Sequence, residues 1–528
     1  MRNRVLQAAL LCAIAVGMCL RFACLDRKVY WYDETFTSLE LSGYSTREAS
    51  ADILTGRVVS AAELDKYQFP TADSGKTTID TINGLITNEP QLTPLYFVLA
   101  RWWSKLFPES ILAVRALSAI FSVMTLGLAF VLCRELFSSP RIAVLFVALT
   151  AVSPLYVLYA QEARPYALWC LTTLLSSIAL LRAIRLGTRS AWALYLLSII
   201  LNLYTYLLSV CILFGHACFV AIDQRFRLTA TTRRFALCAV AGLLAFLPWP
   251  YRGQHPGAGD RLTLIRYLTK WIRSIAIMFA DFNFNDRTSW SLLIPYSLLI
   301  LLLLALVAYS IWFLLRHATR RQSAFLLTLL GALCVTLPLF DVMKGFSIGT
   351  VTRYSLPSLM MLQLTVTYLL ATVTRESTTA WVRRAWQGCT LGVIALGVSS
   401  CLLMTQALAW WSKEPDNSIQ TVSQLIRAAP RPTLIVSDTW FIGMLSLEHK
   451  LPRDALYKLT EEPQVPQVEI GSGSVFAFRP SEHLRAALAN RYTLTMMDPT
   501  AGLWKVEARL PAPVAGERRI GIKSPLER

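Results

Sequence analysis

The first 36 residues indicate the class of this protein, because a hydrophobic run passes directly into a charged, aromatic segment. Residues 5–36 are VLQAALLCAIAVGMCLRFACLDRKVYWYDETF. A membrane helix needs about 20 apolar residues to cross ~30 Å of hydrocarbon, and the run Val5 to Leu20 follows Arg2 and Arg4. No small-residue cleavage site precedes the charged segment, so the sequence predicts a retained first membrane helix and not a signal peptide.

Composition extends this interpretation to the whole chain. Of its 528 residues, 55% are hydrophobic and 16% are charged, whereas soluble domains are about 25% charged. The apolar residues fall in repeated long runs, which predicts a polytopic membrane protein. An excess of Lys and Arg in cytoplasmic loops explains the net charge of +18 better than binding to nucleic acid does. The eleven cysteines include no C-x-x-C pair, which argues against a zinc site or a disulfide framework.

The runs predict about eleven transmembrane helices with a cytoplasmic N-terminus. The predicted spans are 5–20, 111–132, one ending at 159, 166–181, two within 191–222, 235–250, 292–315, 325–340, 353–374 and 391–411. The large first external loop, 26–91, has six Lys or Arg against eleven acids, whereas the predicted cytoplasmic ends have 17 Arg against three acids. This bias fixes the predicted orientation. Residues 93–107 are too short for a span and predict an interfacial helix.

Two further regions follow the predicted membrane domain, residues 1–411. Residues 412–510 contain amphipathic helical patterns, the buried-strand pattern TLIVSD and two alternating segments, YTLTMMD and GLWKVEARL. They predict a small soluble α/β domain on the external side. Residues 511–528 are rich in Pro and charge, which predicts a disordered tail.

Charged groups from distant segments converge on the predicted external face. An Arg at a helix end there can offer two donors to a phosphate, and a carboxylate beside it can take a proton from a hydroxyl. Each group alone also has a simpler explanation, such as a solvated helix junction, snorkelling to lipid headgroups or pairing with a neighbour. Their convergence favours a functional site. The groups are Asp33, Glu34, Glu162, Arg164, Arg353 and Tyr354.

Five segments resemble the GT-C glycosyltransferases, in particular bacterial members related to dolichyl-phosphate-mannose protein mannosyltransferases and to the lipid A aminoarabinose transferase (family 39-like). LRFACLDRKVYWYDETFT (20–37) is similar to the W-x-DE start of that family's first external loop, and TPLYFVLARWWSKLF (93–107) to its PPLYY helix. SPLYVLYAQEARPYALW (153–169) and TRYSLPSLMML (352–362) resemble its QEARPYAL and RYLLP segments. LNLYTYLL (201–208) resembles LYTHY, but Tyr206 replaces the usual His, so no catalytic role is assigned there. The resemblance covers roughly residues 1–375.

The resemblance implies an enzyme that uses a polyprenyl-phosphate-linked sugar on the outer face of the membrane, with inversion at the anomeric carbon. Asp33 would be the general base that deprotonates the acceptor, and Glu34 would orient the acceptor or hold Asp33. Arg164 and Arg353, with Tyr354, would bind the donor phosphate. Such a donor also agrees with the lack of a nucleotide-binding fingerprint in the sequence.

The remaining implied site residues are Glu162, Tyr96 and Tyr166, as contacts to sugar or acceptor, with Glu162 alternatively fixing Arg164. Paired carboxylates can hold a divalent ion, as in related oligosaccharyltransferases, but two adjacent acids are a weak metal signal. The prediction is therefore no metal and no cofactor. The resemblance places the protein in a bacterial inner membrane with a periplasmic C-terminal domain.

Two other functions remain open at this point. A lipid-linked-glycan flippase without transfer chemistry would place charges along a mid-membrane path, and the predicted spans are nearly free of charge away from their ends. A non-catalytic scaffold would have no reason to keep a base and phosphate-binding Arg together. The sugar and the acceptor, whether protein, lipid A or glycan, are not encoded in any recognisable motif.

Overall fold

The computed structural model describes residues 2–71, 74–107, 109–249, 262–284, 289–376, 379–413, 416–439, 441–469, 471 and 473–509. The predicted tail and parts of the second external loop (251–261 and 285–288) lie outside the described residues. The chain forms two compact units. The helical unit is Met1–Ala49 with Asp65–Asn417, and the sheet unit is Ser50–Leu64 with Ser418–Arg528.

Most of the described chain is helical. In chain order the α-helices are Arg2–Phe22 (α1), Tyr32–Ser42 (α2), Thr46–Ile53 (α3), Ala61–Asp65 (α4), Thr78–Asn88 (α5), Leu95–Leu106 (α6), Ile111–Phe137 (α7), Pro140–Ala151 (α8), Pro154–Ala160 (α9), Tyr166–Leu186 (α10), Arg189–Thr205 (α11), Ser209–Asp223 (α12), Ala230–Phe246 (α13), Leu264–Ala276 (α14), Trp290–His317 (α15), Arg320–Cys334 (α16), Thr336–Lys344 (α17), Leu356–Glu376 (α18), Ala380–Gln406 (α19), Ile419–Arg427 (α20), Phe441–Glu448 (α21) and Glu482–Arg491 (α22). The helix predicted at the outer interface is present as α6.

Seven helical stretches in the described residues are long and apolar enough to cross a membrane. They are Arg4–Phe22, Ile111–Phe137, Tyr166–Leu186, Ser291–His317, Arg320–Lys344, Thr352–Thr374 and Ala380–Gln406. The pair α8 and α9, bent by 62°, would make an eighth. The other three predicted spans coincide with α11, α12 and α13, of 17, 15 and 17 residues. These helices fall short of the ~20 residues that a full crossing needs, so the count of eleven stays a prediction.

A proline and a buried arginine account for the bend between α8 and α9. Pro154 has no N–H to continue the helical hydrogen bonds, and carbonyl groups at the end of α8 lose their helical partners. Arg21 of α1 donates to the carbonyls of Ala151 at 2.5 Å and Thr150 at 3.0 Å, and its Nε donates to Ser122 Oγ at 2.8 Å. Since an unpaired polar group inside an apolar bundle costs several kcal/mol, roughly 2–7, Arg21 stabilises the break before α9, the helix that leads to the segment 161–165.

The sheet unit has six strands, Thr55–Ser60 (β1), Thr433–Ser437 (β2), Leu456–Thr460 (β3), Ser474–Phe478 (β4), Tyr492–Asp498 (β5) and Leu503–Ala508 (β6). Their order is β1-β3-β2-β4-β6-β5. β2 runs parallel to both β3 and β4, and the outer pairings are antiparallel. The predicted strands TLIVSD, YTLTMMD and GLWKVEARL are therefore confirmed as β2, β5 and β6.

Residues from the first predicted external loop also join this sheet. β1 lies at one edge and pairs with β3. Within the unit, α22 packs Leu484 and Leu488 against Val475 and Val506, and Ser481 caps its first turn by accepting from the N–H of Leu484 at 3.1 Å. The predicted α/β domain exists, but it contains residues 50–64 in addition to C-terminal residues. The sequence did not predict this addition, because strand pairing between segments distant in sequence leaves no local pattern.

Candidate active site

The acid pair lies in the first turn of α2, after Trp31 at its N-cap position. Negative charge is favourable at a helix N-terminus, where unpaired N–H groups and the helix dipole are positive. Successive residues on a helix point about 100° apart, so the two carboxylates face different surroundings. The side chain of Glu34 is fully buried, whereas that of Asp33 is 14% exposed.

Both carboxylate oxygens of Glu34 accept from buried donors. Arg115 donates to Oε1 at 2.7 Å and to Oε2 at 2.6 Å, a two-point contact of a guanidinium with a carboxylate. Lys413 Nζ lies 2.9 Å from Oε2, and the N–H of Ala163 donates to Oε1 at 2.9 Å. Burial alone would raise the pKa of Glu34, but the charges of Arg115 and Lys413 lower it to about 2. Glu34 therefore stays ionised at any ordinary pH.

Asp33 faces two other arginines. Its Oδ2 lies 3.4 Å from Nη2 of Arg353 and 3.9 Å from Nε of Arg164. Arg164 is further held by its Nη1, which donates to the Asp33 carbonyl at 3.0 Å and to Thr37 Oγ1 at 3.1 Å. The side chain of Arg353 is 24% exposed. One carboxylate thus faces two guanidinium groups at a partly exposed position, and the carboxyl of Glu89 also interacts electrostatically with Arg164 and Asp33.

Aromatic rings line the arginine side of this position. The guanidinium carbon of Arg353 lies 5.5 Å from the ring centroids of both Trp31 and Tyr354. At that distance the faces of the rings attract a cation and restrict the position of its side chain. Tyr354 is partly buried, and Tyr206, where the family has His, contacts its ring at 6.3 Å between centroids.

The three residues that the sequence predicts as sugar or acceptor contacts are all buried. Glu162 pairs with Lys413 at 3.2 Å, whereas Arg164 turns to Asp33. Burial raises the pKa of Glu162 although Lys413 opposes the change. The Tyr96 hydroxyl hydrogen-bonds Ser118 Oγ at 3.0 Å, and Tyr166 meets Tyr206 edge to face. In the structure these side chains support the site from inside.

Three cationic groups of the site escaped the sequence analysis: Arg115, Lys413 and Lys28. Lys28 Nζ donates to the Gln161 side-chain oxygen at 2.6 Å, and its burial, with the charges of Lys413 and Arg115, lowers its pKa to about 7. A lone Arg within the apolar sequence ILAVRALSAIF was a usable signal, because a buried charge in such a segment requires a partner. Among the described residues, no three His, Cys, Asp or Glu side chains come close enough to hold a metal ion.

Comparisons with known proteins give one family match and similar solved structures. The family model described as dolichyl-phosphate-mannose-protein mannosyltransferase matches residues 89–251. Two matching solved structures are ArnT from Cupriavidus metallidurans bound to undecaprenyl phosphate and the same protein in the apo state. The first is 13% identical, covers 96% of this chain and 99% of that chain, and has a TM-score of 0.52. The second is 13% identical, covers 94% of this chain and 97% of that chain, and has a TM-score of 0.51. No curated protein matches by sequence.

These matches confirm the resemblance predicted from the sequence and the fold that goes with it, a helical multi-pass membrane protein with a small sheet domain. The matched segment 89–251 includes the TPLYF, QEARPYAL and LYTY motifs, and Asp33 and Arg353 lie outside it.

Proposed function

We propose that this chain, which has the fold of ArnT and resembles the GT-C membrane glycosyltransferases, moves a sugar from a polyprenyl-phosphate donor to an acceptor hydroxyl. The observation that carries the proposal is the position of Asp33, a partly exposed carboxylate between Arg353 and Arg164. A base candidate and two guanidinium groups at one place fit a reaction that deprotonates one group and releases an anionic phosphate. A similar fold bound to undecaprenyl phosphate supports a lipid-linked donor.

The same three residues suggest an order of events. Without donor, Asp33 neutralises part of the charge of Arg164 and Arg353. A donor phosphate brings more negative charge and two or more acceptor oxygens, so both guanidinium groups turn to it. Asp33 is then free to accept the proton of the acceptor hydroxyl.

The transfer itself is an inverting displacement at the anomeric carbon. The acceptor oxygen forms a bond to that carbon from the face opposite the phosphate, and the bond between the carbon and the phosphate oxygen breaks. The proton of the hydroxyl passes to Asp33, and the electron pair of the broken bond leaves with the polyprenyl phosphate. Arg164 and Arg353 neutralise the charge that develops on this leaving group.

The other predicted residues take supporting roles in this proposal. Glu34 holds the frame of the site through Arg115 and Lys413, and Tyr354 restricts Arg353. Because Glu162, Tyr96 and Tyr166 are buried, a direct sugar contact from any of them would require the site to open. The proposed setting is a bacterial inner membrane, with the N-terminus cytoplasmic and both the site and the sheet unit on the external side.

The test is sugar transfer by purified protein in proteoliposomes, from a panel of polyprenyl-phosphate sugars. Asp33→Asn is expected to lower transfer by about 10²–10⁴-fold, the usual contribution of a general base, while binding of undecaprenyl phosphate persists. Asp26→Asn, the same change at an exposed acid of the same loop, is the matched control. Full activity of Asp33→Asn would contradict the role of Asp33. Movement of a lipid-linked glycan across the bilayer without any transfer would favour the flippase.

A further inference from the structure

The described residues after α19, 407–413 and 416–417, are held against the site. We call them the return segment. Its Leu408 carbonyl accepts from the N–H of Val29 at 3.0 Å, and the ring N–H groups of Trp410 and Trp411 both donate to Asp281 Oδ2, at 2.8 and 2.7 Å. Three contacts to two other parts of the helical unit fix its path.

Beyond these anchors the return segment places a lysine at the centre of the buried charges. Lys413 is almost fully buried, with Nζ 2.9 Å from Glu34 Oε2 and 3.2 Å from Glu162 Oε1. The ring of Trp31 lies 5.4 Å from the same ammonium. Further along, Asp416 Oδ2 accepts from the N–H of Tyr32 at 2.7 Å, in the first turn of α2. The return segment therefore contacts the first turn of α2 at Tyr32 and at Glu34.

We propose that Lys413 is a positioning residue for the donor-phosphate site, which it maintains by joining Glu34 of α2 to Glu162 of the segment 161–165. The inference rests on the proposed function. It adds a residue from outside the resemblance, which ends near residue 375, and gives the return segment a role in the reaction.

Glu34 and Glu162 are two carboxylates of like charge that are held together in a dry environment. Lys413 is the cation that contacts both in the structure. Without it, repulsion between Glu34 and Glu162 in a medium of low dielectric would drive them apart. Glu34 would stay in place, because Arg115 donates to both of its oxygens. The group that moves would be Glu162.

A shift of Glu162 would reach the phosphate site directly. Arg164 is only two residues further along, and its Nη1 donates to the Asp33 carbonyl and to Thr37 on α2. After loss of Lys413, the bond from the Ala163 N–H to Glu34 would be the remaining direct tie between this segment and Glu34. Displacement of Arg164 would therefore weaken phosphate binding.

The experiment measures the dissociation constant of undecaprenyl phosphate for the full-length protein in detergent, together with the KM for the donor. Lys413→Met is expected to raise both by about 10–100-fold, the effect of misplacing a binding group by about 1 Å. Lys413→Arg keeps the charge and is expected to recover most of the affinity. A residue that only stabilises the fold would lower the amount of active protein without changing either constant.

The outcomes separate this inference from the proposed function. A wild-type protein that neither binds undecaprenyl phosphate nor transfers sugar would contradict the proposed function. A wild-type protein that does both, with equal constants in Lys413→Met, would overturn the role of Lys413 alone.

A second variant decides the question if Lys413→Met does not fold. Trp411→Phe removes one bond of the return segment to Asp281, keeps an aromatic ring beside Arg273, and touches neither Glu34 nor Glu162. It is expected to weaken binding in the same direction by a smaller factor. Trp381→Phe, at an exposed Trp, is the control, and unchanged binding by Trp411→Phe would overturn the inference.

Discussion

Replacing Glu34 by Gln tests whether the second acid of the pair holds the site together or reacts in it. The substitution keeps the shape of the side chain and removes its charge. Arg115 would lose its two-point partner, at 2.7 and 2.6 Å in the structure, and Lys413 would lose a contact of 2.9 Å. The amide also places an N–H donor against one of these cations. We therefore expect a large loss of stability in addition to any loss of activity.

The magnitude follows from the burial of the pair. The side chains of Glu34 and Arg115 are both fully buried, and removing one partner of a buried ion pair costs about 3–5 kcal/mol, since the other charge is left uncompensated. Lys413 keeps Glu162 as a partner, so most of the cost arises at Arg115. Arg115 also donates to the carbonyls of Val29 and Lys28. These bonds hold its guanidinium in place, so the side chain cannot turn out to water when Glu34 is replaced.

The assay is the free energy of unfolding in mixed detergent micelles, followed by circular dichroism during SDS titration. Asp33→Asn is the matched control, because it makes the same chemical change one residue away. The ion pairs of Asp33 are longer, at 3.4 and 3.9 Å, and less buried than those of Glu34, so Asp33→Asn should lose less stability than Glu34→Gln. In the double variant Glu34→Gln/Arg115→Met, we expect a coupling energy of about 1–3 kcal/mol.

The effect of Glu34 should also depend on pH. The charges of Arg115 and Lys413 overcome the effect of burial and lower the pKa of Glu34 from 4.5 to about 2. A carboxyl whose folded pKa is depressed adds stability that is present above its unfolded pKa and lost as pH falls through its folded pKa. The difference between wild type and Glu34→Gln should therefore be full at neutral pH and shrink from pH 4.5 toward pH 2. If Glu34→Gln unfolds like wild type at neutral pH yet transfers no sugar, the structural role is refuted and Glu34 becomes a reacting group.

Two further predictions concern stability alone. Burial raises the pKa of Glu40 from 4.5 to about 8, so wild-type stability should fall as pH rises from about 4.5 to 8, where Glu40 ionises in the unfolded chain alone. Glu40→Gln should abolish this fall and be more stable than wild type at pH 8 by ~3–5 kcal/mol. Unfolding at pH 5 and pH 8 measures the difference, and equal pH dependence of the two proteins would contradict the prediction. A Cβ on Gly397 would lie 2.5 Å from the Val152 carbonyl oxygen. Gly397→Ala should therefore lower the free energy of unfolding by about 1–3 kcal/mol, because it forces α19 away from the α8–α9 bend. Gly392→Ala, where a Cβ meets open space, is the control and should be neutral or slightly stabilising in the same SDS titration.

The helices of this fold could be predicted well because their signals are local. Long apolar runs locate α1, α7, α10, α15, α18 and α19, and the expected division of 191–222 is the interval between Thr205 and Ser209. The number of crossings could not be predicted equally well. A run of apolar residues fixes a helix, but whether 15 or 17 residues cross a bilayer depends on tilt and on neighbouring helices, which are properties of the packed structure.

The site shows the same division between local and distant information. Asp33, Arg164 and Arg353 were found because each lies in a recognisable segment at the end of a predicted span. Arg115 and Lys413 were missed because their role depends on which carboxylate they meet in space, and Glu34 is 81 and 379 residues away from them. Neither residue lies in one of the five segments that resemble the GT-C family.

The two adjacent acids are best understood as one helical turn that serves two environments. A turn of α2 directs Glu34 into the protein, where Arg115 and Lys413 fix the direction of the helix, and directs Asp33 outward to Arg353 and Arg164. In the proposed reaction a single acid could not do both, because both oxygens of the carboxylate that anchors Arg115 are occupied by donors and leave no position for an incoming hydroxyl. Because Glu34 and Asp33 are neighbours, the anchored carboxylate of Glu34 sets the position of Asp33 to within the length of a peptide unit. Any shift of Glu34 would thus be transmitted directly to Asp33, which is why the stability test and the transfer test must be made on the same variants.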